Sequence, residues 1–219
     1  MELVGIELSR VVHLRQVYRP AGAVYLPEAF GKISQRYSFV KLPEDLTRDS
    51  HVFSIGKFQD VQINEFGIYN DGVIATAKSD TDVVEAFLND VFEWSFAEYG
   101  IVPAVNDKPE FHYESQVIVK CQRDIAALVT PANDVSDIIT TALSAANNIA
   151  YVPTGAIFEN DVAAVTSKRR SGRFTLERRV GTPLAENLFF SNAPLTTKQH
   201  LNLLQALDEV PLKKGVAPR

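Results

Sequence analysis

The stretch from Val52 to Gly100 constrains the fold more than any other part of the chain. Val52, Phe53 and Ile55 open it, and Val61 and Ile63 alternate with Gln62 and Asn64. Ile68-Tyr69 then runs into Asn70-Asp71-Gly72 before Val73 to Ala77 return. Period-two alternation buries one face of each strand, and Asn-Asp-Gly tolerates the positive φ that a tight hairpin can demand. Directly behind, Ser79 and Asp80 offer side-chain caps to a helix. Its Val83, Val84, Phe87, Leu88, Val91 and Phe92 fall at helical spacing, and Gly100 stops it. A hairpin feeding an amphipathic helix is the pattern of an α+β fold, in which the helix covers one face of an antiparallel sheet.

The rest of the chain extends this pattern. Leu3 to Val17 reads as one or two strands. Pro27 and Glu28 start a helix carrying Ala29, Phe30, Ile33 and Tyr37, which Gly31 weakens and which ends before Pro43. Residues 101–110, with Pro103, Asn106, Asp107 and Pro109, are the best internal linker. Phe111, Tyr113, Val117, Val119 and Cys121 occupy alternate positions of a strand. Pro131, Asn133 and Asp134 introduce a helix whose stripe is Val135, Ile138, Ile139, Ala142, Leu143 and Ala146. Residues 157–167 and 173–180 read as a hairpin joined by Arg170-Ser171-Gly172. Leu188-Phe189-Phe190 is too apolar for an exposed edge, so it is expected to be central or covered. Thr196 and Thr197 cap a last helix with Leu201, Leu204 and Leu207, ended by Pro211. The expectation is one α+β domain over 1–219, a mainly antiparallel sheet with about four helices, and a candidate subdivision near 101–110. Hairpin, strand and capped helix occur at 52–99 and again at 157–210, which makes a βββα quasi-repeat a candidate. The residue identities barely match, and a single sheet with helices on one face is the plainer reading.

Composition sets the class. With 219 residues, 46% hydrophobic and 22% charged, the chain can bury a core without disulfides or metal. A net charge of −5 gives no global attraction to nucleic acid or to an anionic membrane. The one cysteine, Cys121, excludes an intramolecular disulfide and fits a reducing compartment. The start of the chain lacks a basic segment followed by an apolar run, and no eighteen apolar residues are continuous. A cytoplasmic protein without a membrane span is the expectation. No Gly-rich phosphate loop, G-x-S-x-G elbow, H-E-x-x-H or paired Cys/His spacing occurs. No cofactor or metal is therefore expected, and the balance weighs against an enzyme built on a short motif.

Three polar groups stand out. Glu110, His112 and Glu114 share one face of a strand, where two carboxylates around an imidazole could hold a divalent cation or move protons. The plainer reading is the solvated side of a half-buried strand, because Phe111, Tyr113, Val117 and Val119 lie opposite. Lys168, Arg169, Arg170 and Arg173 cluster in the 157–180 hairpin, with Arg178 and Arg179 further down on opposite faces. Clustered arginine can take phosphate or carboxylate, although a solvated turn explains it too. Third, Asp80, Asp82, Glu85, Asp90, Glu93, Glu98 and Asp107 run without an intervening Lys or Arg. The helix dipole accounts for Asp80, Asp82 and Glu85 but not for Glu93 or Glu98. Trp94 lies off the main apolar stripe of that helix.

These groups lead to a non-catalytic interaction or assembly protein, self-associating or holding a protein partner. Glu85, Glu93 and Trp94 would form one surface, and Lys168, Arg169, Arg170 and Arg173 the other. Nucleic-acid binding through the basic hairpin is the alternative. A metal-assisted hydrolase using Glu110, His112 and Glu114 is the second alternative.

Overall fold

The computed structural model describes residues 1–128, 135–142, 151–159 and 172–210. Over these the strands are β1 (Glu2–Leu14), β2 (Val17–Tyr18), β3 (Ser50–Phe58), β4 (Val61–Tyr69), β5 (Gly72–Ala77), β6 (Val102–Pro103), β7 (Glu110–Lys120), β8 (Gly155–Phe158), β9 (Phe174–Arg178) and β10 (Leu188–Ala193). Four α-helices accompany them: α1 (Leu26–Tyr37), α2 (Thr81–Tyr99), α3 (135–142) and α4 (Thr197–Glu209). The chain is α+β. Eight strands form a sheet in the order β3-β4-β5-β1-β7-β10-β9-β8, and β2 pairs with β6 apart from it. The pairings β3·β4, β4·β5, β5·β1, β8·β9 and β9·β10 are antiparallel. Two compact units divide the chain. The first is Ile6–Ser115 with Pro194–Thr197, and the second is Met1–Gly5, Gln116–Ala193 and Lys198–Arg219.

The first unit follows the local signals closely. Pro27 sits in the opening turn of α1, which ends where Ser38 turns left-handed (φ 54°) and returns its N–H to Ser34 O. Ala29, Phe30, Ile33 and Tyr37 form its buried stripe. The Asp80 side chain accepts from Asp82 N at 3.0 Å to cap α2, and Gly100 closes it at φ 62°. Val84, Phe87, Leu88, Val91 and Phe92 then bury against Phe53, Ile63, Phe66 and Ala75. Only glycine adopts that left-handed stop without steric cost.

The β4–β5 hairpin is present, with Tyr69 paired to Gly72. Its turn differs from the expectation, because none of Asn70, Asp71 and Gly72 has positive φ. Gly72 is required for a different reason. A Cβ there would lie 2.4 Å from His13 O and 2.8 Å from Leu14 Cα, so the neighbouring strand β1 sets the residue. Residues expected to be a linker are tied down. Val102 and Pro103 pair with Tyr18 and Val17, Ala104 N donates to Gln16 O at 2.9 Å, and Asp107 Oδ1 accepts from Gln16 N at 2.9 Å.

In the second unit, β8, β9 and β10 form an antiparallel meander whose core includes Leu176, Phe189, Val117, Ile125 and Leu204. Phe189 is buried within β10, an interior strand, as its apolar run required. His200 of α4 pairs with Ser191 Oγ at 2.9 Å, and Asp208 binds the N-terminal ammonium at 3.0 Å. The helical stripe expected around residue 138 departs from its pattern: Val135 and Ile138 of α3 are 52% and 68% exposed. Periodicity puts such residues on one face but does not supply an element to cover it. The Arg170-Ser171-Gly172 junction, apart from Gly172, and the tail beyond Val210 lie outside the described residues.

The repeat is larger than the βββα order read from sequence. Each copy is β-α-β-β-β-α: β1, α1, β3, β4, β5, α2, then β7, α3, β8, β9, β10, α4. Read outward from the middle, the sheet runs β1-β5-β4-β3 in one direction and β7-β10-β9-β8 in the other. The burial pattern repeats as well. Ser9 and Ser115, Val11 and Val117, Ala77 and Ala193, Thr81 and Thr197, and Leu88 and Leu204 are all fully buried at matching positions. β7 and α3 therefore open the second copy. Within the first unit the two equivalent threonines bond reciprocally. Thr81 N donates to Thr197 Oγ1 at 3.1 Å and Thr197 N to Thr81 Oγ1 at 2.9 Å, which satisfies helix-start N–H groups that otherwise lack partners.

Candidate functional site

Asp90, Glu98 and Asp107 of the acidic run are paired with cations within the first unit. Arg36 Nη2 meets Asp90 at 3.0 Å, and Tyr37 Oη donates to the same carboxylate at 2.7 Å. Lys32 bonds Glu98 at 2.6 Å, and Arg15 Nε bonds Asp107 at 2.8 Å. Tyr113 Oη donates to Glu85 at 2.7 Å. The cations come from α1 and from Arg15 just past β1, far away in sequence, so these three acids are matched by charges that sequence order keeps apart. Burial and the Asp90 carboxylate both raise the Tyr37 hydroxyl pKa, so that group stays a proton donor. Glu93 is exposed. Trp94 is half-buried, edge-on to Tyr37 and Tyr99, with the Arg36 guanidinium 5.7 Å from its ring centre.

Glu110 and His112 do share a face, with His112 Nε2 at 2.9 Å from Glu110 Oε1. Glu114 pairs with Arg10 of β1 at 2.9 Å. Among the described residues no group of three or more His, Cys, Asp or Glu side chains could hold a metal ion.

Lys168, Arg169 and Arg170 lie outside the described residues, in the segment joining β8 to β9. At its base Arg173 forms an ion pair with Glu159. Arg178 is tied into the second unit, paired with Asp124, donating to Leu184 O at 3.0 Å and lying 5.3 Å from the Phe189 ring centre. Arg178 therefore anchors β9.

Sequence reasoning missed a cavity of about 220 Å³ in the first unit, bordered by α1, α2 and the β4–β5 hairpin. Phe30, Phe66, Tyr69, Phe92, Phe96 and Tyr99 contribute six aromatic rings to its wall. Arg15 also lines it, with its guanidinium carbon 5.5 Å from the Phe92 ring centre and 5.1 Å from that of Phe96. Phe92, Phe96 and Tyr99 at helical spacing were a legible signal, but the same spacing describes any core-facing stripe. Beside this region His13 stacks on Phe111 at 4.0 Å and meets Phe92 edge-on at 4.7 Å. Burial first, and then the nearby Arg15 charge, lower its pKa from 6.5 to about 4, so the ring is neutral at pH 7.

With this geometry in view, known proteins add little. No family model and no curated protein matches the chain. A solved structure named "Methanococcus jannaschii TBP" is similar at 13% identity and a TM-score of 0.41, covering 95% of this chain and 98% of that chain. At that score the two backbones differ too much for the likeness to bear on function. No described helix is long and apolar enough to cross a membrane.

Proposed function

We propose that the protein is a non-catalytic binding protein that takes nucleic acid through the basic segment joining β8 to β9. The supporting observation is that Arg36 and Lys32 pair with Asp90 and Glu98 of α2, and Arg15 with Asp107, which reduces the acidic charge that this segment can offer a basic partner. The Lys168-Arg169-Arg170 cluster in the sequence is then the charge concentration most suited to an outside partner, and a phosphate backbone is the partner class that clustered arginine fits best.

Fluorescence anisotropy with a labelled duplex and a labelled single strand tests this. Three phosphate contacts predict a drop in affinity of roughly 40-fold on a duplex between 50 and 200 mM salt. Replacing Lys168, Arg169 and Arg170 with Ser should remove that salt-dependent binding and leave the melting temperature unchanged. Binding that persists in this variant, or no binding at low salt, would refute the proposal.

Self-association is a second reading. It is favoured by Ile157 and Phe158 on β8, the last strand in the sheet order, which are 58% and 55% exposed. Light scattering would then show a mass that rises with concentration and resists salt.

A further inference from the structure

The geometry points to the cavity of the first unit as a binding site for a neutral bicyclic aromatic molecule carrying one N–H or O–H group. This goes beyond the nucleic-acid reading and uses none of its residues. The size comes first: about 220 Å³ exceeds the roughly 150 Å³ apolar cavity that takes benzene, and leaves room for a second fused ring. Six aromatic walls favour a flat ring partner, through edge-to-face and offset contacts, over a flexible chain.

Charge decides neutrality. Arg15 is the one lining side chain with a permanent charge, and it is already matched by Asp107 at 2.8 Å. An ion in this cavity would lose its water without gaining a counter-charge. The polar handle comes from two lining residues. His51 Nδ1, on a side chain 92% buried (8% exposed), and Tyr99 Oη have no hydrogen-bond partner among the described residues. Buried polar atoms are nearly always satisfied, and the donor of the ligand bonds Tyr99 Oη.

Indole is the probe, with indene as its apolar counterpart of the same shape. Titration of the full chain by ligand-observed NMR should show both binding and competing with each other. Ala29→Leu fills the α1 wall, and it should abolish binding of both while circular dichroism stays native. Tyr99→Phe should weaken indole about 3- to 10-fold and leave indene unchanged, because only the hydrogen bond is removed. If Ala29→Leu does not fold, the Tyr99→Phe comparison still decides. No indole binding at millimolar concentration, undiminished binding by folded Ala29→Leu, or equal effects of Tyr99→Phe on both probes would overturn the inference. Failure of nucleic-acid binding would not touch it.

Discussion

His13 should make this protein acid-sensitive, and the size of the effect follows from its surroundings. The side chain is 2% exposed, pressed between Phe92 and Phe111, and neither ring nitrogen has a hydrogen-bond partner among the described residues. Folding therefore lowers its proton affinity, from a pKa of 6.5 to about 4. Between those values the unfolded chain takes up the proton and the folded chain does not. Its contribution is fully present above pH 6.5 and is lost as the pH falls through that window. At about 1.4 kcal/mol for each tenfold change in proton affinity, the whole difference is worth roughly 3 kcal/mol, of which about 2.5 is gone by pH 4.5. The perturbation is His13→Leu, which keeps an apolar side chain of similar volume and removes the titrating group. Urea unfolding at pH 7.5 and 4.5 should show the parent losing about 2.5 kcal/mol more than the variant, or roughly 5–10 °C in thermal midpoint. At pH 7.5 the two should agree within about 1.5 kcal/mol, as volume-conserving core exchanges do. Carboxylates protonate in both proteins and cancel. Equal acid losses would mean that His13 is solvated or paired when charged, and the reasoning would fail.

Two further predictions concern the frame of the fold. Thr197→Val leaves the buried Thr81 N–H without its acceptor and should cost roughly 1–3 kcal/mol in urea unfolding, whereas Thr197→Ser, which keeps the hydroxyl, should cost much less. Gly72→Ala should destabilise by roughly 1–3 kcal/mol, because its methyl would meet the β1 backbone. Gly31→Ala, where a Cβ meets nothing within 4 Å, should raise stability by roughly 0.5–1 kcal/mol. Thermal melts of this glycine pair should move in opposite directions.

Much of the local structure was legible in the residues themselves. Pro27, Asp80 and Gly100 act within one turn of where they stand, and alternation along 52–77 states which side chains share a face. Those are short-range constraints, which sequence order carries directly. The turn chemistry at Asn70-Asp71-Gly72 pointed to the right hairpin for the wrong reason, because the close approach that demands glycine comes from His13 and Leu14 on another strand. The quasi-repeat was visible only as element order. Its full extent emerged when β1 and β7 took equivalent places in the sheet.

The amino-acid order alone determined an α+β chain with amphipathic helices, an apolar strand at Leu188-Phe189-Phe190 that had to be central or covered, and a basic cluster at 168–173. Only the tertiary structure decided which acids between residues 80 and 107 are paired. Coulomb attraction and hydrogen bonding act across space, so Arg15, Lys32 and Arg36 reach acids some 50 to 90 positions away. The cavity belongs to the same class of fact. Its walls come from five separate stretches between residues 15 and 101, and no window of sequence contains the gap they line.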